Sequence, residues 1–185
     1  MAQLVHLNGP PGIGKSTLAA LYTERHPGTL NLDIDRLHPL VGGWQDPRHD
    51  THTILRPVAL AMAATHLAGG RDVVLPQYLA RLREIERFED VARDHGARFR
   101  EVVLLDDKAP SIARFDRRAD DTPVNRHTRS IVEQQGGADF LAAMYDRLSA
   151  ALESRPDVVV VTSRLDAVED AYDDLVRALA RAPGP

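Results

Sequence analysis

The sequence predicts a three-layer α/β fold with a parallel sheet at its centre, and two observations predict it. Short apolar runs alternate with longer segments of helical pattern along nearly the whole chain, the rhythm of strands joined by crossover helices. The first apolar run leads into Gly9-Pro10-Pro11-Gly12-Ile13-Gly14-Lys15-Ser16, a loop whose place is between a strand and a helix.

Taken in order, residues 3–8 read as a buried strand, and a helix over about 15–25 opens at Ser16-Thr17-Leu18. Residues 29–33 form a second strand, closed by Leu32-Asp33-Ile34-Asp35. A helix over about 52–68 is stopped by Gly69-Gly70 before the strand at 72–76. A helix at 80–95 is stopped by Gly96 before the strand at 100–106. A helix at 109–118 and a long one at 128–153 follow, the latter ended by Pro156 before the strand at 157–162. The last helix covers 165–181, and Ala182-Pro183-Gly184-Pro185 reads as a loose tail. Glycine and proline just past a helix end are expected stops. The strands are almost continuously apolar, which suits parallel strands buried on both faces and joined by right-handed crossovers. Two stretches break the rhythm, at 34–50 and 119–127. Irregular loops at the carboxyl ends of such strands are where α/β proteins place ligands.

The 185 residues fit one domain, with the substrate-side segment at about 34–56 and a lid at about 114–129. Lys and Arg total 23 against 27 Asp and Glu, for a net charge of −4. That balance exerts no general pull toward nucleic acid or an anionic membrane. With no cysteine there is no disulfide and no thiolate metal site, which suits a reducing cytoplasm. No signal-peptide pattern and no apolar run of about 18 residues is visible, so the expected setting is cytoplasmic, as monomer or homodimer.

Residues 9–16 match G-x-x-x-x-G-K-[ST], the phosphate-binding P-loop. The motif turns backbone N–H groups of Gly9, Gly12, Ile13, Gly14 and the helix start through Thr17 toward phosphate oxygens, while Pro10 and Pro11, which have no N–H, shape the loop. Lys15 would reach the β- and γ-phosphates of ATP, and the Ser16 hydroxyl would hold Mg²⁺. Only two of the 23 cationic residues are lysines, Lys15 and Lys108. A chain that otherwise uses arginine places a compact ammonium where the motif needs one.

Asp33 and Asp35 stand two residues apart at a strand end, so an extended chain would aim both the same way. One carboxylate suits a Mg²⁺ shell and the other a base for an acceptor hydroxyl. Arg114, Arg117, Arg118, Arg126 and Arg129, with His127, form a basic excess in an acidic chain. Arg114 and Arg118 share a helix face, and arginines closing over a triphosphate stabilise charge on the transferring group. Asp106, ending the fourth strand, is either a second Mg²⁺ candidate or a helix cap. Trp44 either walls the acceptor pocket or anchors its segment. His38, Arg56, Gln77 and Arg81 are candidate acceptor contacts, while His38, His49 and His52 make no convincing metal set.

Leu32-Asp-Ile-Asp-Arg-Leu-His-Pro39 resembles the Asp-x-Asp strand end of shikimate kinases and especially gluconate kinases. Val73-Val-Leu-Pro-Gln77, Glu101–Leu105 and Arg114-Phe-Asp-Arg-Arg118 resemble the tunicamycin-resistance ATP-binding proteins, with chloramphenicol phosphotransferases and zeta-type toxins similar in layout. The resemblance implies a P-loop NTPase fold of the nucleoside-monophosphate-kinase type, its five parallel strands ordered 2-3-1-4-5. It implies an ATP-dependent kinase acting on a hydroxyl of a small molecule: a sugar acid, nucleoside or antibiotic. Asp33 would then lie near Mg²⁺, Asp35 would bind acceptor and act as base, and Arg164 would lie near adenine. A nucleotide-dependent switch without an acceptor, and a nucleic-acid 5′-kinase, are the rival readings. The chain has no Asn-Lys-x-Asp guanine motif, and its net acidity disfavours a polynucleotide channel.

Overall fold

In the computed structural model five parallel strands form one sheet in the order β2-β3-β1-β4-β5. Residues 1–46, 48–118, 121–155 and 158–181 are described; Pro156, the 182–185 tail and the centre of the 114–129 stretch lie outside them. The strands are β1 (Gln3–Asn8), β2 (Leu30–Asn31), β3 (Val73–Pro76), β4 (Arg98–Leu105) and β5 (Val159–Thr162). The α-helices are α1 (Lys15–Arg25), α2 (Thr51–Ala68), α3 (Leu82–Asp94), α4 (Lys108–Asp116), α5 (Pro123–Gln134), α6 (Ala138–Glu153) and α7 (Val168–Ala180).

Alternation along the strands builds two cores. Leu4, Val73 and Leu75 face α2 and α3, packing with Leu55, Ala59, Ala63, Leu67, Ile85 and Phe88. Val5, Leu7, Val74, Val102, Leu104 and Val161 face α1 and α7, meeting Leu18, Ala19, Tyr22, Ala171 and Leu175. Alanines at 59 and 63 let α2 approach the sheet closely, and each large side chain so buried contributes about 1.5–3 kcal/mol. A smaller cluster of Phe115, Val132 and Leu141 joins α4, α5 and α6.

Two expectations change. The long helix expected at 128–153 is two helices. Gly136 and Gly137 adopt φ of +116° and +61°, which end α5, and Thr122 starts it by accepting from the Asn125 N–H at 3.1 Å. The second strand is also shorter than its apolar run. Beyond Asn31 the chain tightens into a 3₁₀ segment, Ile34–Leu40, capped by Asp33. All five strands point the same way, so their carboxyl ends converge on the P-loop edge.

Candidate functional site

The P-loop follows β1 directly and is packed against two other elements. A Cβ on Gly9 (φ +147°) would lie 2.5 Å from the Leu104 carbonyl oxygen, and one on Gly12 (φ +82°) would lie 2.9 Å from the Phe115 backbone. Glycine is required at both because β4 and α4 come that close. Asn8, fully buried, uses its whole amide. Its Oδ1 accepts from the N–H groups of Gly9 (2.9 Å) and Leu79 (3.0 Å), and its Nδ2 donates to the Leu79 carbonyl (2.6 Å) and Glu101 Oε1 (2.9 Å). Behind it Glu101 pairs with Arg155. The Ile13 carbonyl accepts from Ser163 Oγ at 2.7 Å and Arg114 Nη2 at 2.9 Å. Holding that carbonyl turns the Gly14 N–H, on the same trans peptide plane, to the opposite side.

Lys15 Nζ donates to the Gly9 and Pro10 carbonyls at 2.8 and 3.0 Å, curling over the loop. Burial lowers its pKa to about 8, against the pull of Asp35 and Asp33, and the Arg118 charge lowers it further. Asp33 is buried near the Ser16 hydroxyl. Burial, then the like charge of Asp35, raises the Asp33 pKa, while Ser16 and Arg36 oppose that shift. Asp33 Oδ1 also accepts from the Asp35 N–H at 3.2 Å, and Oδ2 lies 3.6 Å from Arg36 Nε. Lys15, Ser16, Asp33 and Asp35 thus share one electrostatic field. The acid pair meets there through a capping turn, not through the pleat of an extended strand as expected.

A buried carboxylate beside a second carboxylate and a hydroxyl is an oxygen donor set suited to Mg²⁺. Asp106 is placed otherwise: Oδ1 accepts from the Asp107 N–H at 2.9 Å and Oδ2 lies 3.8 Å from Arg114 Nη1. Asp107, its neighbour, takes the cap position of α4. Among the described residues no group of three or more His, Asp or Glu side chains is arranged to hold a metal ion by itself.

The arginines divide. Arg114 bonds the carbonyls of Ile13 and Ser163, so it braces the P-loop from outside. Arg118 is exposed, donates to Asn125 Oδ1, and is close enough to act on Lys15. Arg126 is exposed on α5; Arg129 reaches back to the Asp116 and Arg118 carbonyls and over the Phe115 ring. Arg117 follows the last turn of α4, and Arg164 lies exposed just after Ser163. Thr17 is exposed at the start of α1.

On the acceptor side, His38 is buried with its Nδ1 2.6 Å from Thr51 Oγ1, and burial lowers its pKa. It packs edge-on against His52, with centroids 4.6 Å apart. Trp44 meets His127 of α5 edge-on at 4.9 Å, which docks the 34–50 segment against the helix after the arginines. His49 bonds the Gly43 carbonyl in that segment. Arg56 pairs with Glu84, and Arg81 is exposed at the start of α3. Gln77 and Arg56 line a recess with Ile34, His52, Leu60, Leu79, Glu84, Arg87 and Phe88. His38, Trp44 and Arg81 are outside that lining. Sequence reading missed Asn8, Ser163, Glu84 and His127's contact with Trp44. An amide residue closing the buried β1 run just before the P-loop was a usable signal for Asn8; the others carry no motif.

A family model described as AAA domain matches residues 4–141. Among solved structures, a gluconokinase from Sinorhizobium meliloti 1021 is 19% identical with a TM-score of 0.60, covering 95% of this chain and 92% of that one. The Deinococcus radiodurans tunicamycin resistance protein is 18% identical with a TM-score of 0.59, covering 100% of this chain and 99% of that one. These likenesses are of fold. No curated protein matches significantly in sequence.

Proposed function

The chain belongs to the AAA domain family, and on that premise we propose that it is an ATP-dependent phosphotransferase acting on a hydroxyl of a small molecule. One observation carries the reading. Buried Asp33 accepts from the Asp35 N–H at 3.2 Å, and the charges of both carboxylates reach Lys15, so an acid pair stands opposite the phosphate-binding turn.

In this reading the loop amides and Lys15 hold the β- and γ-phosphates of ATP. Ser16 and Asp33 would hold Mg²⁺, which when bound neutralises phosphate charge. Asp35 orients the acceptor hydroxyl and takes its proton as the hydroxyl oxygen gains the γ-phosphoryl group and ADP leaves. Arg114 keeps the P-loop amides in place, and Arg118, with Arg126, meets the charge on the transferring group from the lid side. Segment 34–56 forms the acceptor wall. Catalysis then comes from positioning and charge stabilisation. The reading is supported by likeness in fold to a gluconokinase and to a tunicamycin resistance protein.

The test is ADP release over a panel of sugar acids, nucleosides and hydroxylated antibiotics, with Asp35→Asn alongside. Acceptor-dependent turnover that Asp35→Asn reduces at least about 10²-fold is expected. Slow hydrolysis that no acceptor stimulates would instead favour a nucleotide switch.

A further inference from the structure

The central strand β1 carries two polar side chains that are fully buried, His6 and Asn8. Two residues apart on a strand, they point to the same face. Both grip one short segment, the turn that leaves β3 at Gln77. His6 Nε2 lies 2.9 Å from the Gln77 carbonyl oxygen. A carbonyl only accepts, so Nε2 carries the proton and donates. Burial holds the His6 pKa below its ordinary value, which keeps the ring neutral. Asn8 Oδ1 accepts from the N–H groups of Gly9 and Leu79, and Asn8 Nδ2 donates to the Leu79 carbonyl. One amide oxygen thus joins the first residue of the P-loop to the turn after β3.

Glu101 fixes which way that amide faces. It lies beside His6 in the sheet register, with Oε1 2.9 Å from Asn8 Nδ2 and 3.8 Å from His6 Nδ1. Arg155 pairs with its other oxygen and supplies the counter-charge at this buried site. Turned over, the Asn8 amide would set its NH₂ against two N–H donors and its oxygen against a carbonyl and a carboxylate. All four of its hydrogen bonds would be lost.

We infer that His6, Asn8 and Glu101 are positioning residues that lock the turn 77–79 to the phosphate-binding loop, and so, on the phosphotransferase reading above, fix the acceptor hydroxyl at one distance from the γ-phosphate. The turn stands at the carboxyl end of β3, which neighbours β1, and ligands of such sheets bind outside those strand ends. Tyr78, between the two gripped residues, donates to the Met144 carbonyl of α6 at 3.0 Å and holds the turn from a second side. Leu79 packs in one core cluster with Leu32 and Ile34, which flank Asp33 in the chain. P-loop, turn and acid pair are thereby one rigid unit.

The experiment follows amide hydrogen exchange of Gly9, Gly12 and Leu79 by NMR in the intact protein, with and without Mg²⁺ and a non-hydrolysable ATP analogue. Because Gly9 and Leu79 share one acceptor oxygen, their protection should rise together when the nucleotide binds. Asn8→Ala should lower Leu79 protection at least about tenfold, the scale of one hydrogen bond, and end its response to nucleotide while Gly12 still responds. Glu101→Leu combined with Arg155→Met, which strands no charge, should lower it too, since Nδ2 then keeps only the Leu79 carbonyl. In His6→Leu, turnover on an acceptor from the panel should fall about 10²-fold, the effect of roughly 1 Å of misplacement, with KM for Mg·ATP moving less than about threefold. His6→Gln, which keeps a donor near the Nε2 position, should recover most of that loss. A Leu79 amide indifferent to nucleotide in the native chain, or one that still responds in Asn8→Ala, overturns the inference. Calorimetry with Mg·ATP separates the two claims. No nucleotide uptake, with Leu79 protected through Asn8, sinks the phosphotransferase reading alone; uptake with an unresponsive Leu79 sinks this one alone.

Discussion

Raising the pH should weaken nucleotide binding through a single group, Lys15. Its ammonium is held in the P-loop by two backbone carbonyls, and burial brings its pKa down to about 8. At pH 7 about nine-tenths of the empty protein carries the charged lysine, and at pH 9 about one-tenth does. If the phosphates bind the charged form, affinity for Mg·ATP should fall about tenfold between pH 7 and pH 9. Bound phosphates restore the charge, so binding at pH 9 should take up close to one proton. Calorimetry in buffers of different ionisation enthalpy measures both quantities. Lys15→Met should bind weakly and show neither the slope nor the uptake.

The same shift predicts a stability slope of known sign. The unfolded lysine holds its proton up to its ordinary value of 10.5, and the folded one releases it near 8. Between those values the unfolded state binds more protons, so unfolding free energy rises with pH. The rise is at most about 3 kcal/mol, with the full penalty present below pH 8. A flat affinity from pH 7 to 9.5, or a slope that survives in Lys15→Met, would refute the placement of this lysine at the phosphates.

Further outcomes follow from the same geometry. Asp33 has a raised pKa through burial and the Asp35 charge, so its ionised form costs stability above its folded pKa. Asp33→Asn should therefore hold or raise the melting temperature at pH 7, by up to about 5 °C, while abolishing Mg²⁺-dependent turnover. Gly9→Ala would press a methyl against the Leu104 carbonyl at a φ that suits glycine. Chemical denaturation should show a loss of about 2–4 kcal/mol. Arg114→Ala leaves the Ile13 and Ser163 carbonyls short of a donor. KM for ATP should rise about tenfold, and Arg114→Lys should not rescue it, because one ammonium cannot span both oxygens as the guanidinium fork does.

What the sequence determined by itself is local. The P-loop spelling, the alternation of apolar runs with helical segments and the glycine stops depend on neighbours within about a turn. They sufficed for parallel strands joined by helices, whereas the order 2-3-1-4-5, which the observed sheet has, came from the family resemblance. Contacts across long separations were decided by packing. Residues 13, 114 and 163 meet because β1, α4 and the end of β5 share one edge of the sheet, and that is why Arg114 braces the loop. Residues 56 and 84 meet because α2 and α3 cover the same face, which commits an arginine that reads in isolation as free for an anion. No local pattern encodes such pairings: they arise when buried apolar faces set the distance between helices, and polar side chains take whichever partner that distance leaves within reach.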